Sequence, residues 1–254
     1  MAGIRSWAAL AALAGSAPWL PAQRLKPESL QEFAAYVQSA EVRIAARRDS
    51  PHAGPSVRTA PGNGANPHRI AGAMVYDWIG TIFIPGVPVD RLVRMLQDYD
   101  HRSEYFPDVV ASARLLCRSG AWSFGFTMRL KEPVVADVDS QVEWERLDEH
   151  RWRCRSISGD VREIGTHHGY LYRLNSYWRF LDDGRGVAVE GETVTLSDEF
   201  GAVMRTLGSL AGVNPEKSLK RTLNSMREAV LSRREFAPPP EGLPECGGGA
   251  ASRP

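Results

Sequence analysis

The sequence predicts an α+β fold in which one curved antiparallel sheet of about seven strands wraps around a single long C-terminal helix, with an extra N-terminal helix. Between residues 74 and 197, apolar and polar side chains alternate with a period of two, in runs separated by short turns. Long stretches with helical periodicity occur before and after this region. The chain has 254 residues, 43% hydrophobic and 24% charged, a composition typical of a folded globular protein.

The first 22 residues are predicted to be an export signal outside the fold. Arg5 supplies a positive charge, an apolar stretch too short to cross a bilayer follows, and Ala22 offers a small residue for cleavage. An ordinary N-terminal helix is the alternative, but Pro18 and Pro21 would interrupt it. No later run is apolar for long enough to span a membrane. We therefore expect a periplasmic or secreted protein with no transmembrane segment in the mature chain.

Residues 23–49 are predicted to contain the extra helix, which runs from residue 27 to residue 48. Pro27 suits a first helical position because its missing N–H is not needed there. Apolar side chains recur at three- and four-residue steps and form one stripe, at Leu30, Phe33, Val37, Ala40 and Ile44. Residues 50–72 are rich in Pro, Gly, Asn and Ser without periodicity, so they are predicted to be a linker.

The main domain is predicted to span residues 73–236 and to begin with a strand at residues 74–84. Residues 88–98 follow as a short helix, which continues irregularly as far as residue 108. The other predicted strands lie at residues 109–118, 121–131, 136–146, 151–158, 170–181 and 186–197. Because the gaps between many of them suit hairpin turns, neighbouring strands are expected to pair antiparallel.

The last predicted element is a long helix in which Asn214 caps the start and Pro215 takes the first position. Its buried stripe is predicted at Leu219, Leu223, Met226 and Val230. A long antiparallel sheet with one apolar face needs this helix as its cover, an arrangement called the helix-grip. The Pro- and Gly-rich tail, residues 237–254, is predicted to be disordered.

Alternation within the strands also predicts an outer charged face. Its side chains are Asp137, Asp139, Glu143 and Glu145 on one strand and Arg151, Arg153 and Arg155 on the next. Opposite charges on neighbouring strands pair across the sheet, so this face is expected to be solvated and not to bind a ligand.

The predicted inner face combines large aromatic side chains with small and hydroxyl-bearing ones. It comprises Ser140, Ser156, Leu174, Ser176, Trp178, Phe180, Val187, Val189, Gly191, Thr193 and Thr195. A filled core would favour Leu, Ile and Val. The mixture therefore predicts a cavity with an apolar wall and a few polar contacts; the alternative is a filled core whose hydroxyls bond to the backbone.

Several short segments resemble the START-like (SRPBCC) superfamily, most of all its coenzyme Q-binding and polyketide cyclase/dehydrase-type branch. They are LQDYD at 96–100, YFPDV at 105–109, Ser112, YWRF at 177–180, GVAVE at 186–190 and the helix start at 214–227. The resemblance covers about residues 73–234 and implies the helix-grip fold. Members of this superfamily include lipid or quinone carriers, cyclases and proteins with no known ligand, so the resemblance implies fold more closely than function.

The predicted function is the binding or carriage of a lipid, isoprenoid or other apolar small molecule between the sheet and the C-terminal helix. The candidate ligand-binding residues are Trp78, Trp122, Phe124, Trp144, Trp152, Tyr172, Ser176, Trp178, Phe180, Gly191, Thr193 and Leu223. Two alternatives are a cyclase- or dehydratase-like enzyme in the same cavity and a protein-interaction module with a filled core.

No catalytic residue is predicted, because no titratable pair has the required facing. His167 and His168 precede a strand, and one of them could reach the cavity mouth. No carboxylate is predicted to point in the same direction as a partner for either histidine. Glu190 and Glu192 share a strand face, which parity places outside with Arg173 and Arg179. The motifs of common hydrolases, metalloproteases and nucleotide-binding proteins do not occur, so no cofactor is predicted.

The cysteines and the charge balance exclude further classes of protein. Cys117, Cys154 and Cys246 are too few and scattered for a disulfide framework or a zinc site. We expect Cys117 and Cys154 to be apolar fillers and Cys246 to be a loose thiol or a bystander. Lys and Arg total 31 and Asp and Glu 30, giving a net charge of +1, so nucleic-acid binding is not expected.

Overall fold

The computed structural model describes residues 25–47, 53–131, 134–165, 169–199, 214–233 and 235–247. Within these ranges the helices are α1 (Pro27–Ala46), α2 (Val89–Gln97), α3 (Arg102–Tyr105) and α4 (Pro215–Ser232), with one 3-10 turn at Tyr99–His101. The strands are β1 (Arg58–Pro61), β2 (His68–Ile70), β3 (Ala73–Pro85), β4 (Val110–Ser119), β5 (Ser123–Leu130), β6 (Ala136–Arg146), β7 (Arg151–Glu163), β8 (Arg173–Asp182) and β9 (Gly186–Asp198).

The strands form one antiparallel sheet in the order β1-β3-β9-β8-β7-β6-β5-β4, with β2 pairing to β3. The predicted α+β helix-grip fold and its seven long strands are confirmed. The linker prediction is corrected, because β1 and β2 lie within residues 50–72. Arg58 pairs with Thr81 and His68 with Val75. Strands of three or four residues are too short to show a period, so the sequence pattern does not reveal them.

Helix α4 lies against the concave face of the sheet and begins as predicted. The Asn214 side-chain oxygen accepts hydrogen bonds from the backbone N–H groups of Glu216 and Lys217. The predicted stripe of Leu219, Leu223, Met226 and Val230 is buried. Gly80 of β3 permits this close contact, because a Cβ atom there would lie 2.6 Å from Cδ1 of Leu223.

Helix α1 packs on the opposite, convex face and creates a second apolar core. Phe33, Tyr36 and Ala40 are buried there with Val194 and Leu196 of β9. Three other members of the predicted stripe, Leu30, Val37 and Ile44, pack around this core and are partly buried. The stripe prediction therefore needs one addition, since Tyr36 was not expected to be buried. It donates a hydrogen bond to Asp77 at 2.8 Å.

The solvated charged face is also present on the convex side, away from α1's apolar contacts. Arg129 forms an ion pair with Asp137 at 2.7 Å, and Arg153 pairs with Glu145. These pairs join neighbouring strands, as the alternation predicts. Such exposed pairs contribute little to stability, typically about 0–1 kcal/mol each.

The C-terminal tail and two of the cysteines differ from the prediction. Cys117 of β4 and Cys246 form a disulfide across 129 residues of sequence, so neither is a free thiol. Around it, the Cys246 N–H donates to the Arg118 carbonyl, and the Arg118 N–H donates to the Pro244 carbonyl. Residues 244–246 therefore pair with the edge strand β4, so this part of the tail is ordered, in contrast to the prediction; residues 248–254 lie outside the described residues. Cys154 is buried as a free thiol, as expected.

No helix within the described ranges is long and apolar enough to cross a membrane.

Candidate ligand-binding cavity

An apolar cavity of about 160 Å³ lies between the concave face of the sheet and α4. Its walls come from β4 to β9, from α4, from α2 and the segment between α2 and β4, and from the segment before β8. The predicted inward-facing residues Ser140, Ser156, Leu174, Ser176, Trp178, Phe180, Thr193 and Thr195 all line it. The strand alternation therefore identified the cavity face correctly.

A row of hydroxyl groups crosses the floor of this cavity. Ser156 of β7, Ser176 of β8 and Thr193 of β9 are direct neighbours in the strand register. The Trp178 Nε1–H donates a hydrogen bond to the Ser176 Oγ at 3.2 Å. The row gives an otherwise apolar wall a small number of hydrogen-bonding groups, which is the usual composition of a small-molecule site.

Aromatic side chains form the adjoining wall. Trp144 and Phe180 are stacked, with ring centroids 5.9 Å apart. The Trp144 Nε1–H donates to the hydroxyl of Tyr99 at 2.8 Å, so the buried indole is satisfied. Burial raises the pKa of Tyr99 above its ordinary value, so this phenol stays neutral.

Among the candidate ligand-binding residues, those in the cavity wall are Trp144, Ser176, Trp178, Phe180 and Thr193. The others do not line it, although Gly191 lies directly behind a lining side chain. A Cβ atom at Gly191 would lie 2.6 Å from Cε3 of Trp178, so the indole already fills the space expected there. The prediction that Gly191 leaves room for a ligand is wrong.

The remaining candidates lie in other parts of the structure. Trp122 is 45% exposed and packs edge-to-face on Trp152, whose Nε1–H donates to Asp90 at 3.0 Å. Tyr172 belongs to the core beneath α1. Phe124 and Leu223 belong to the main core, with Leu223 packed against Gly80, and Trp78 is partly buried against this core. Alternation assigns a face to each residue but not a depth along the strand, so it cannot separate these positions from the cavity wall.

Sequence reasoning missed Arg102, which lines the cavity from the first residue of α3. Its Nη2 donates to the Leu96 carbonyl at 2.9 Å. The guanidinium lies over the rings of Tyr99 and Phe126, 4.6 and 5.0 Å from their centroids. Burial lowers the pKa of this guanidinium. The irregular segment around Arg102 has no period, so no sequence signal indicates which way the side chain points.

The titratable residues among the described lining residues are Arg102, Cys154 and Tyr170. Burial raises the pKa of the Cys154 thiol to about 12, so it is a neutral thiol and not a nucleophilic thiolate. The described lining contains no carboxylate or imidazole that could act as a general base. His167 and His168 lie outside the described residues.

A separate charged cluster lies beneath α1, on the face away from the cavity. Glu190 and Glu192 point outward as predicted, and Arg179 pairs with Glu190 at 3.1 Å. Glu192 is buried, however, because α1 covers it, and Arg47 of that segment forms ion pairs with both glutamates. No group of acidic, histidine and cysteine side chains suited to a metal ion occurs in the described parts of the chain.

No protein-family model and no curated protein matches this chain. Among solved structures, a STAR-related lipid transfer protein from Xanthomonas axonopodis is similar, with 17% identity and a TM-score of 0.47 over 66% of this chain and 99% of that chain. Human STARD10 is similar with 12% identity and a TM-score of 0.45, over 82% and 81% of the two chains. The Zhui aromatase/cyclase from a Streptomyces species has 12% identity and a TM-score of 0.44, over 62% and 94%. The helix-grip architecture of this chain follows from its own strand order and helix positions.

Proposed function

We propose that this protein binds an apolar small molecule, such as a lipid chain or an isoprenoid, between its sheet and α4. The observation that supports the proposal is the cavity itself, whose wall is largely apolar and carries the hydroxyl row of Ser156, Ser176 and Thr193. Closed interiors pack densely and leave few voids larger than a water molecule. A cavity of about 160 Å³ therefore argues against the filled-core interaction module.

The size of the cavity favours a compact ligand. An engineered apolar cavity of about 150 Å³ holds benzene, whereas drug-sized ligands occupy about 300–1,000 Å³. At about 160 Å³, the cavity suits one ring or one short chain and is too small for a whole two-chain lipid. Carriage of a single-chain or short isoprenoid molecule is the form of the proposal that this volume supports.

A filling substitution tests the proposal. Ser156→Leu adds apolar volume to the cavity wall, and Thr127→Leu makes a matched change on the outer face of β5. We expect the wild type and Thr127→Leu to bind 1-octanol or naphthalene in titration calorimetry, and Ser156→Leu to bind at least about tenfold more weakly with a cooperative thermal transition. Absence of binding of both compounds to the wild type would overturn the proposal.

The compartment proposed with this function is the periplasm or the cell exterior. The export signal expected in residues 1–22 lies outside the described residues. The disulfide between Cys117 and Cys246 supports the proposal, because disulfides persist mainly in oxidising compartments. No observation on the described cavity lining specifically favours the cyclase- or dehydratase-like alternative.

A further inference from the structure

Arg102 is the cationic residue among the described residues that line the cavity. Its neighbours there are apolar, and transferring a charged group into apolar surroundings costs several kcal/mol unless the charge is paired and hydrogen-bonded. The partners of this guanidinium within the protein therefore determine whether the cavity favours a ligand with a negatively charged group.

The protein provides hydrogen-bond partners for only some of the N–H groups of this guanidinium. Nη2 donates to the Leu96 carbonyl, and the aromatic rings of Tyr99 and Phe126 pack against the cation. Nε is buried and has no hydrogen-bond partner within the described residues. Because Nε itself has almost no accessible surface, a ligand would meet the guanidinium at the part of Arg102 that lines the cavity.

No carboxylate of the described residues forms an ion pair with Arg102. Asp98 is nearby, but its oxygens are engaged elsewhere. Oδ1 lies 2.6 Å from Nδ1 of His101, while Oδ2 accepts hydrogen bonds from the Tyr105 hydroxyl and from the Ala237 N–H at 3.0 Å. Arg102 therefore has favourable interactions with Tyr99 and with the nearby charge of Asp98, but no described carboxylate forms an ion pair with it.

We propose that the natural ligand is an amphiphile with a terminal carboxylate, which Arg102 binds while the apolar part lies along the aromatic wall. This inference rests on the proposed function. A guanidinium donates two parallel hydrogen bonds to a carboxylate, and one cation balances one negative charge. A phosphate monoester carries about −1.5 to −2 near neutral pH and would leave an excess charge in the cavity. Ser140, directly opposite Phe126 in the register, adds a lining hydroxyl beside this position.

A matched series of ligands tests the inference on the wild type. We expect octanoate to bind at least about tenfold more tightly than 1-octanol at neutral pH, although water solvates the carboxylate more strongly. Octyl phosphate should bind more weakly than octanoate. Equal or weaker binding of octanoate relative to 1-octanol would overturn the inference and leave the proposed function intact. Tighter binding of octyl phosphate would overturn the assignment of a carboxylate.

Substitutions of Arg102 test whether this residue causes the preference for octanoate over 1-octanol. Arg102→Met should reduce the ratio of octanoate to 1-octanol affinity to about one, and Arg102→Lys should retain part of it because the charge remains without the planar fork. Arg129→Met is the control, since Arg129 lies on the outer face with Asp137, and it should leave the ratio unchanged. An unchanged ratio in a folded Arg102→Met variant would overturn the inference. If that variant does not fold, the wild-type ligand series decides. If neither octanoate nor 1-octanol binds, the proposed function fails first.

Discussion

Glu192 is a carboxylate buried beneath α1, with 1% of its surface exposed. Arg47 forms an ion pair with it, Arg43 lies 3.5 Å from it, and Asp77 is a neighbour of like charge. Tyr36 of α1 donates a hydrogen bond to Asp77. Burial and Asp77 raise the pKa of Glu192 from its ordinary value of 4.5 to about 7, while Arg47 opposes the shift. The proton on this residue is therefore linked to stability.

A pH series tests this linkage. Because the folded-state pKa is raised, the native protein holds the proton more tightly than the unfolded chain. The resulting stability is fully present below about pH 4.5 and is lost as the pH rises through about 7. We expect Glu192→Gln to remove this dependence, so the variant should gain stability relative to the wild type between about pH 5 and about pH 8. Urea unfolding at several pH values measures the difference. A difference that stays constant with pH would contradict the assignment.

Helix α4 is the element that closes the cavity, and its contact with the sheet depends on one face. Leu223 is fully buried against Gly80 of β3, whereas Leu231 is 54% exposed near the end of the same helix. The two leucines therefore allow the same substitution to be made on the two sides of one element.

Leu223→Asp places an unpaired carboxylate in apolar surroundings, and we expect it to lower the free energy of unfolding by about 4 kcal/mol or more. Leu231→Asp should cost less than about 1 kcal/mol, because the new charge is solvated and meets only the helix dipole. Denaturant unfolding of both variants measures these changes. Similar losses in the two variants would show that α4 does not pack on the sheet through the face of Leu223.

At the scale of the whole molecule, the C-terminal segment returns from α4 to the opposite edge of the sheet. Phe236 is buried and its ring packs edge-to-face on Tyr105. The disulfide then attaches Cys246 to Cys117 on β4, and the paired backbone covers part of that edge. Unpaired edges invite association with other chains, so this segment protects the sheet as well as stabilising it.

The cysteine chemistry of protein recovered from a cell envelope tests both the disulfide and the proposed compartment. We expect alkylation of the denatured, unreduced protein to label Cys154 alone, and alkylation after reduction to label Cys117 and Cys246 too. N-terminal sequencing should begin near Gln23. Replacing Cys117 and Cys246 together by Ser should lower stability by about 2–4 kcal/mol, measured by urea unfolding. Labelling of all three cysteines before reduction, or an intact N-terminus at Met1, would contradict the export proposal.

The sequence by itself determined the features that depend on neighbouring residues. The long strands, the inward facing of Ser176 and Thr193, and the cap at Asn214 all follow from local periodicity and local hydrogen bonding. The inward polar residues predicted a cavity, with a filled core as the alternative, because apolar residues are favoured throughout a filled core.

Tertiary structure decided the features that depend on contacts between distant parts of the chain. Alternation predicts a face, but only the packing of Trp178 on Gly191 shows that this position is filled. The disulfide joins residues 129 positions apart, α1 covers a glutamate that parity places outside, and Arg102 reaches the cavity from a segment with no period. Each of these depends on contacts between residues that are distant in the sequence, and no local pattern contains that information.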